Sequence, residues 1–297
     1  MSASPAESRP SGLPAGALAL LALAGALTLT FGDRSDASYG QGAAGIAVRL
    51  DRTAADSLPA QSVLRRVDYE SFSWLEVTAD GLASLGASGA PHERFDHGTS
   101  IQISAYRFDP LTSQPRVPAR LASFGLSSSP DVHLVQLAGP AKDEWLAAMA
   151  ASGATTIQYH AQNTYAVWAS ENQLRALQGQ SFVRWVGAYQ PAYRLAPELH
   201  AVRGRLQVGI LVYEPASPDV IAWITATGGV VGLRDGPAGV TRYIEAVVAG
   251  SELPRLARQP GVVAVNRGWR EPIPADEMSD KISAGMISGS QPQGKPP

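Results

Sequence analysis

The chain has 297 residues, 45% of them hydrophobic and 17% charged, with a formal net charge of −2. That is enough apolar material for two or three small packed domains, and too balanced a charge for a nucleic-acid partner. The lack of any cysteine excludes disulfides, thiolate metal sites and a cysteine nucleophile.

Residues 1–32 open the chain with an uncharged stretch from Pro10 to Gly32, preceded by Arg9 and followed by Asp33. A positive flank, an Ala/Leu core and a polar exit are the pattern of a secretory signal, with an uncleaved anchor as the alternative. Either predicts a secreted or envelope-associated protein that meets a membrane only through this segment. Residues 33–45 are polar and rich in Gly and Ser, as in a linker. In the following segment, 46–129, Ser71–Val77 alternates like a strand and Gly81–Leu85 has helical spacing after Asp80. His92–Phe95 and Ser100–Ala105 read as further strands. Strand, helix, strand is the back half of a larger unit, so this degenerate α+β segment reads either as a degenerate third copy of the pattern that follows or as an extension of the first copy's sheet. A Pro- and Ser-rich connector follows from Leu111.

Two copies of one pattern come next. Val132–Leu137 predicts a strand, Ala141–Ser152 a helix with Trp145, Leu146 and Met149 on one face. Ala154–His160 and Thr164–Ala169 are strands joined by a turn at Gln162-Asn163. Glu171–Val186 then gives a helix, a break and a strand. Its counterpart lies 79 residues on, at Glu252–Val265. Leu174 matches Leu253, Leu177 matches Leu256, Gln180 matches Gln259, Val183 matches Val262 and Val186 matches Val265. Leu206–Tyr213, Ser217–Thr227, Gly229–Leu233 and Thr241–Val248 complete the second copy. The order β-α-β-β-α-β is that of ferredoxin-like units. The expected fold is therefore α+β, with tandem ferredoxin-like βαββαβ domains at 130–200 and 201–270. Residues 271–297 change composition and read as a tail or linker.

No catalytic constellation accompanies this pattern. Asp96-His97-Gly98-Thr99 is followed by Ile101, Gln102 and Ile103, which is strand-like, so His97 reads as a turn residue. No phosphate loop, dinucleotide fingerprint, nucleophile elbow or His-Glu-x-x-His helix occurs. The five histidines show no i,i+4 pairing, and no metal or cofactor is expected. Arg203-Gly204-Arg205 reads as a solvated loop, and Asp143-Glu144 as charge at the start of a helix. Trp185, Tyr189 and Tyr193 read as sheet packing and a seam between domains, or else as a recognition surface.

The segment Ser181-Phe182-Val183-Arg184-Trp185-Val186-Gly187, continuing through Tyr189-Gln190-Pro191-Ala192-Tyr193 to Leu195, is similar to the N-terminal region of large secreted bacterial subtilisin-like peptidases. Tyr106-Arg107-Phe108-Asp109-Pro110-Leu111 resembles the same region. The resemblance runs from about Ser62 to about Ala284. It implies an inhibitor-type propeptide region that sits upstream of a subtilisin-like catalytic domain, here truncated or acting in trans, with a subtilisin-like peptidase as partner in cis or in trans, and roles as folding helper and inhibitor. It further implies that the segment after the second copy, Arg270, Glu271, Pro272, Ile273, Pro274 and Ala275, lies along the peptidase cleft. The alternative is an exported adaptor whose interface is the aromatic stretch Trp185–Tyr193.

Overall fold

Short alternating runs between turn residues make strands, and these strands pair into small sheets because each has one face to bury. The computed structural model describes residues 45–123, 125–234 and 239–268. Among them the chain forms β1 (Ile46–Leu50), α1 (Arg52–Asp56), β2 (Val63–Asp68), β3 (Ser73–Val77), α2 (Ala79–Ser88) and β4 (His92–Phe95). A hairpin follows, β5 (Ile101–Ile103) and β6 (Tyr106–Phe108). Next come β7 (Asp131–Leu137), α3 (Asp143–Ala151), β8 (Thr155–His160), β9 (Thr164–Ala169), α4 (Glu171–Gln178) and β10 (Val183–Ala188). The linker holds α5 (Pro191–Arg194). The last set is β11 (Arg205–Tyr213), α6 (Ser217–Ala226), β12 (Val230–Arg234), β13 (Thr241–Ala249), α7 (Leu253–Leu256) and β14 (Val262–Arg267).

The protein is α+β, built from small antiparallel sheets. Three of them have four strands, in the orders β2-β3-β1-β4, β10-β7-β9-β8 and β12-β13-β11-β14. In each, the unit's first strand is inner, flanked by its third and fourth, and the second lies at an edge. The same β-α-β-β-α-β connection therefore occurs three times. Of the two alternatives for residues 46–129, the separate first sheet favours a third copy over an extension of the next sheet, and the copy is complete rather than degenerate, since β1, α1 and β2 supply its front half. The pattern was hidden because α1 has five residues, too few for a helical period, and β2 (Val-Leu-Arg-Arg-Val-Asp) is half charged. Ser100–Ala105 is likewise not a strand of that unit. Ser104 takes a positive φ of 50° and turns the chain into the β5–β6 hairpin.

The repeat holds to the level of single hydrogen bonds. The Gln180 N–H donates to Leu177 O and the Val183 N–H to Gln180 O, at 2.9 and 3.1 Å. Gln259 and Val262 repeat this with Leu256 O and Gln259 O, at 3.0 and 3.2 Å. Leu174, Leu177, Val183 and Val186 are buried, as are Leu253, Leu256, Val262 and Val265. The helices differ in length for local reasons. Ser170 and Gln173 form a capping box on α4, whereas α7 follows a 3₁₀ turn directly and carries Pro254 as its second residue. Edge strands are blunted in every unit. Register shifts interrupt β2–β3, β8–β9 and β12–β13, and such bulges twist an edge away from further pairing.

Two seams join the units. The first sheet lays Ala47, Val67 and Trp74 against Ala138 and Trp145 at the second unit. The second seam is larger and apolar. One core includes the hairpin residues Ile101, Ile103 and Phe108, the face of β7 at Val132 and Leu134, the linker at Tyr189 and Tyr193, and the interior of the third unit. Gly187 belongs to this seam, because the Trp185 indole lies where a Cβ on residue 187 would stand. No helix among the described residues is long and apolar enough to cross a membrane. The expected signal or anchor, the linker up to residue 44 and the tail from residue 269 lie outside the described residues.

Candidate functional site

Arg270, Glu271, Pro272, Ile273, Pro274 and Ala275 lie outside the described residues. His97 is exposed in the turn between β4 and β5, where the Ser100 N–H donates to its carbonyl at 3.0 Å. Gly98 is required there for space rather than for a left-handed backbone, since an added Cβ would stand 2.4 Å from the Ala47 Cβ. Asp143 and Glu144 occupy the first turn of α3, as expected of helix-end charge. Among the described residues no group of three histidines and carboxylates is placed to hold a metal.

The aromatic segment resolves into a seam. Tyr189 and Tyr193 are buried, and Tyr193 stacks on Phe108 with ring centroids 6.0 Å apart. The Tyr189 hydroxyl donates to Val263 O at 3.0 Å, and burial pushes its pKa up to about 12. The Ala196 N–H donates to Val265 O at 2.9 Å, so the linker covers part of the outer edge of β14. Tyr189 and Tyr193 are therefore not part of a free recognition surface.

Two buried arginines, neither expected from sequence, organise the seams. Arg184 on β10 has a side chain only 4% exposed. Its guanidinium forks onto Glu76 of β3 at 2.7 and 3.0 Å and onto Asp109 at 3.0 and 3.0 Å. It also donates to Gln136 Oε1 of β7 at 2.9 Å and to Thr99 O at 3.3 Å. Burial opposes the charge, but the Glu76 and Asp109 hydrogen bonds raise the pKa of Arg184 above its usual value. One side chain thus ties the first unit, the segment after the hairpin and the second unit together. Arg194 plays the equivalent part at the other seam. It donates to Asp131 at 2.8 and 3.2 Å, and to the carbonyls of Tyr189, Gln259 and Val132 at 3.1, 3.1 and 3.4 Å. These bonds occupy the five N–H donors of a guanidinium, leaving none for a bound anion. The signal in the sequence was an arginine inside an apolar strand, Val183-Arg184-Trp185, which alternation alone reads as outward-facing.

His133 sits beside the Arg194 cluster. Its Nε2 accepts from the Ser127 N–H at 3.4 Å, so Nδ1 carries the proton and donates to Asp131 O at 2.9 Å. Desolvation lowers the pKa of His133 and of His160 below the usual 6.5, outweighing at His133 the hydrogen bond to the Asp131 carbonyl and the nearby Asp131 charge, which raise it. Both rings are thus favoured neutral in the folded state. Stability they support is complete above about pH 6.5 and is lost as pH falls from there through the lowered folded values. Urea unfolding between pH 5 and 8 is expected to show stability dropping below pH 6.5, by at most about 1.4 kcal/mol per pH unit for each histidine. His133→Gln should flatten that slope. An unchanged slope in both His133→Gln and His160→Gln would place the acid sensitivity elsewhere.

The three sheets differ in what their second face meets. In the first unit that face carries Ala47, Trp74 and Glu76, and in the second Leu134, Gln136 and Ala166, all buried. In the third unit, Val208, Ile210 and Val212 point inward and are buried. The alternate residues Gln207, Leu211, Glu245, Val247, Ala264 and Asn266 are exposed or half-buried. Val230, opposite Val247 on β12, is 60% exposed. This face of the third sheet is therefore partly open among the described residues.

No curated protein matches the chain. Residues 102–190 match the family model of a domain of unknown function (DUF8729), a stretch that takes in the hairpin, the second unit and the Asp109, Gln136 and Arg184 corners of the buried network.

Proposed function

We propose that the chain is a non-catalytic pro-region of a secreted subtilisin-like serine peptidase, built from ferredoxin-like units and acting as folding helper and cleft-filling inhibitor. The observation that carries this reading is the exposed sheet face of the third unit. The first two units use the same face to bind a neighbouring part of the chain, whereas among the described residues that of the third is left partly exposed. Such a face supplies area, and the segment Arg270–Ala275 that follows β14 supplies an extended strand for the cleft. Strand addition relies on main-chain groups, so the cleft segment tolerates side-chain changes better than a proline at a donor position. The sequence resemblance to subtilisin-like pro-regions supports the choice of partner, and the repeated β-α-β-β-α-β order supports the choice of unit.

Because the second and third units share one core, the test uses the full chain from residue 34. Added to secreted subtilisin-like peptidases acting on a chromogenic peptide, it is expected to inhibit at least one of them. Paired charges on the open face, Val230→Asp with Val247→Asp, should weaken inhibition by about tenfold or more, the scale of losing central contacts in an interface. A chain that is cleaved throughout as readily as unfolded casein, inhibiting none of the enzymes, overturns the proposal.

A further inference from the structure

One carboxylate stands near the middle of the third sheet's partly open face without a counter-charge. Glu245 lies on β13, and β13 and β11 are the two inner strands of that sheet. Its neighbours Ile244 and Ala246 are buried in the core, so Glu245 points the other way, half-buried on the open face. Neutral donors hold both of its oxygens. The Tyr243 hydroxyl donates to Oε1 and Gln207 Nε2 donates to Oε2, each at 3.2 Å. Gly209 stands opposite Glu245 in the register, and a Cβ on it would lie 2.4 Å from the Tyr243 hydroxyl oxygen. The glycine therefore lets the phenol reach across to the carboxylate. Among the described residues no Lys, Arg or His forms an ion pair with Glu245.

The same molecule covers a comparable carboxylate elsewhere. Glu76 lies on the third strand of the first unit, on the corresponding face, opposite the small residue Ala47. The surface laid over it belongs to the second unit, and that surface delivers Arg184, which forks onto Glu76 at 2.7 and 3.0 Å. Glu245 shares the strand of the unit, the face and the small residue opposite, but lies mid-strand. Leu211, Val247 and Val230 supply apolar area around it. Any surface packed on them takes water from the carboxylate, and an enclosed carboxylate without a cation is costly. We propose that the third sheet docks a partner protein that presents an arginine to Glu245, flanked by apolar side chains over Leu211, Val247 and Val230. A guanidinium suits this carboxylate better than an ammonium, because a planar fork can reach both oxygens together. The charge would fix the register of docking, and the apolar rim would supply contact area. This inference rests on the docking role given above to the open face, but not on the partner being a peptidase.

The experiment titrates the nitrogen-15-labelled full chain with acetyl-Leu-Arg-Leu-amide. A second titration uses the same peptide with citrulline, a neutral isostere, in place of arginine. The Gln207 side-chain amide and the Gly209 N–H report on the site by NMR. The arginine peptide is expected to move both resonances at concentrations about tenfold or more below those the citrulline peptide needs, since a charge-assisted fork adds to affinity. Glu245→Gln, which keeps the side chain's size, should erase that difference. Equal responses to the two peptides, a difference that survives Glu245→Gln, or no response to either overturns the proposal. So does a Gln207 resonance that moves on simple dilution, because a second copy would then cover the face. A Gln207 resonance that moves in the variant Arg270→Gln, Lys281→Gln, Lys295→Gln overturns it too, since the chain's own cations would then answer Glu245. Peptidase inhibition without an arginine-dependent response sinks this inference alone. The response without inhibition supports it and removes only the peptidase as partner.

Discussion

Arg184→Ala is expected to destabilise the protein by about 3–5 kcal/mol, the range for removing one member of a buried ion pair. The loss is large because the remaining groups stay charged and enclosed. Glu76 and Asp109 have side chains 6% and 11% exposed, and both face the emptied position. Arg65 offers little relief, since its Nε stands 3.7 Å from Glu76. Arg184→Lys should recover only part of the loss, because one ammonium cannot fork onto two carboxylates and also reach Gln136. The damage should also be local. The first unit has its own core of Val48, Leu50, Leu75, Val77 and Leu85, and its seam to the second unit is partly polar. Hydrogen exchange should therefore show β1–β4 opening as a separate unit in Arg184→Ala. Urea unfolding that shifts by less than about 1 kcal/mol, with uniform exchange, would mean the network contributes little.

Arg194→Ala is expected to cost a similar amount, nearer about 3 kcal/mol. Asp131 retains the Val132 and Gly261 N–H donors at 2.7 and 3.0 Å, so the abandoned carboxylate is still partly satisfied. The carbonyls of Tyr189 and Gln259, by contrast, lose this donor inside the seam. The pattern of opening should differ from that of Arg184→Ala. The second and third units share an apolar core, so they should continue to unfold together, with a lowered midpoint and a single transition. A variant that unfolds in two steps, third unit first, would show that Arg194 and not the shared core couples them.

These two arginines mark the limit of what residue patterns convey. The paired copies could be recognised because leucines at helical spacing and valines at strand spacing recur at a constant offset. Burying such residues is a local requirement that each unit meets on its own helices. A third copy stayed one of two alternatives in the sequence, because α1 is short and β2 is half charged, although β3, α2 and β4 did stand out. His97 was correctly read as a turn residue, but the reason for Gly98 was not legible, since Ala47 approaches it from a strand fifty residues earlier. Tyr189 and Tyr193 carried both a seam reading and a surface reading, and only packing against Phe108 and Val263 separates the two.

By itself the sequence determined the α+β character, the β-α-β-β-α-β order of two units and the identity of their core leucines and valines. Periodicity is set by neighbours along the chain, and those are present in the linear text. Tertiary structure alone decided that Arg184 faces inward, that Glu76 and Asp109 meet it across 108 and 75 residues, and that the third sheet keeps an open face. Each of these depends on which surface of one unit is laid against the next. A charge becomes buried only when another part of the chain closes over it, and no local pattern records that closure.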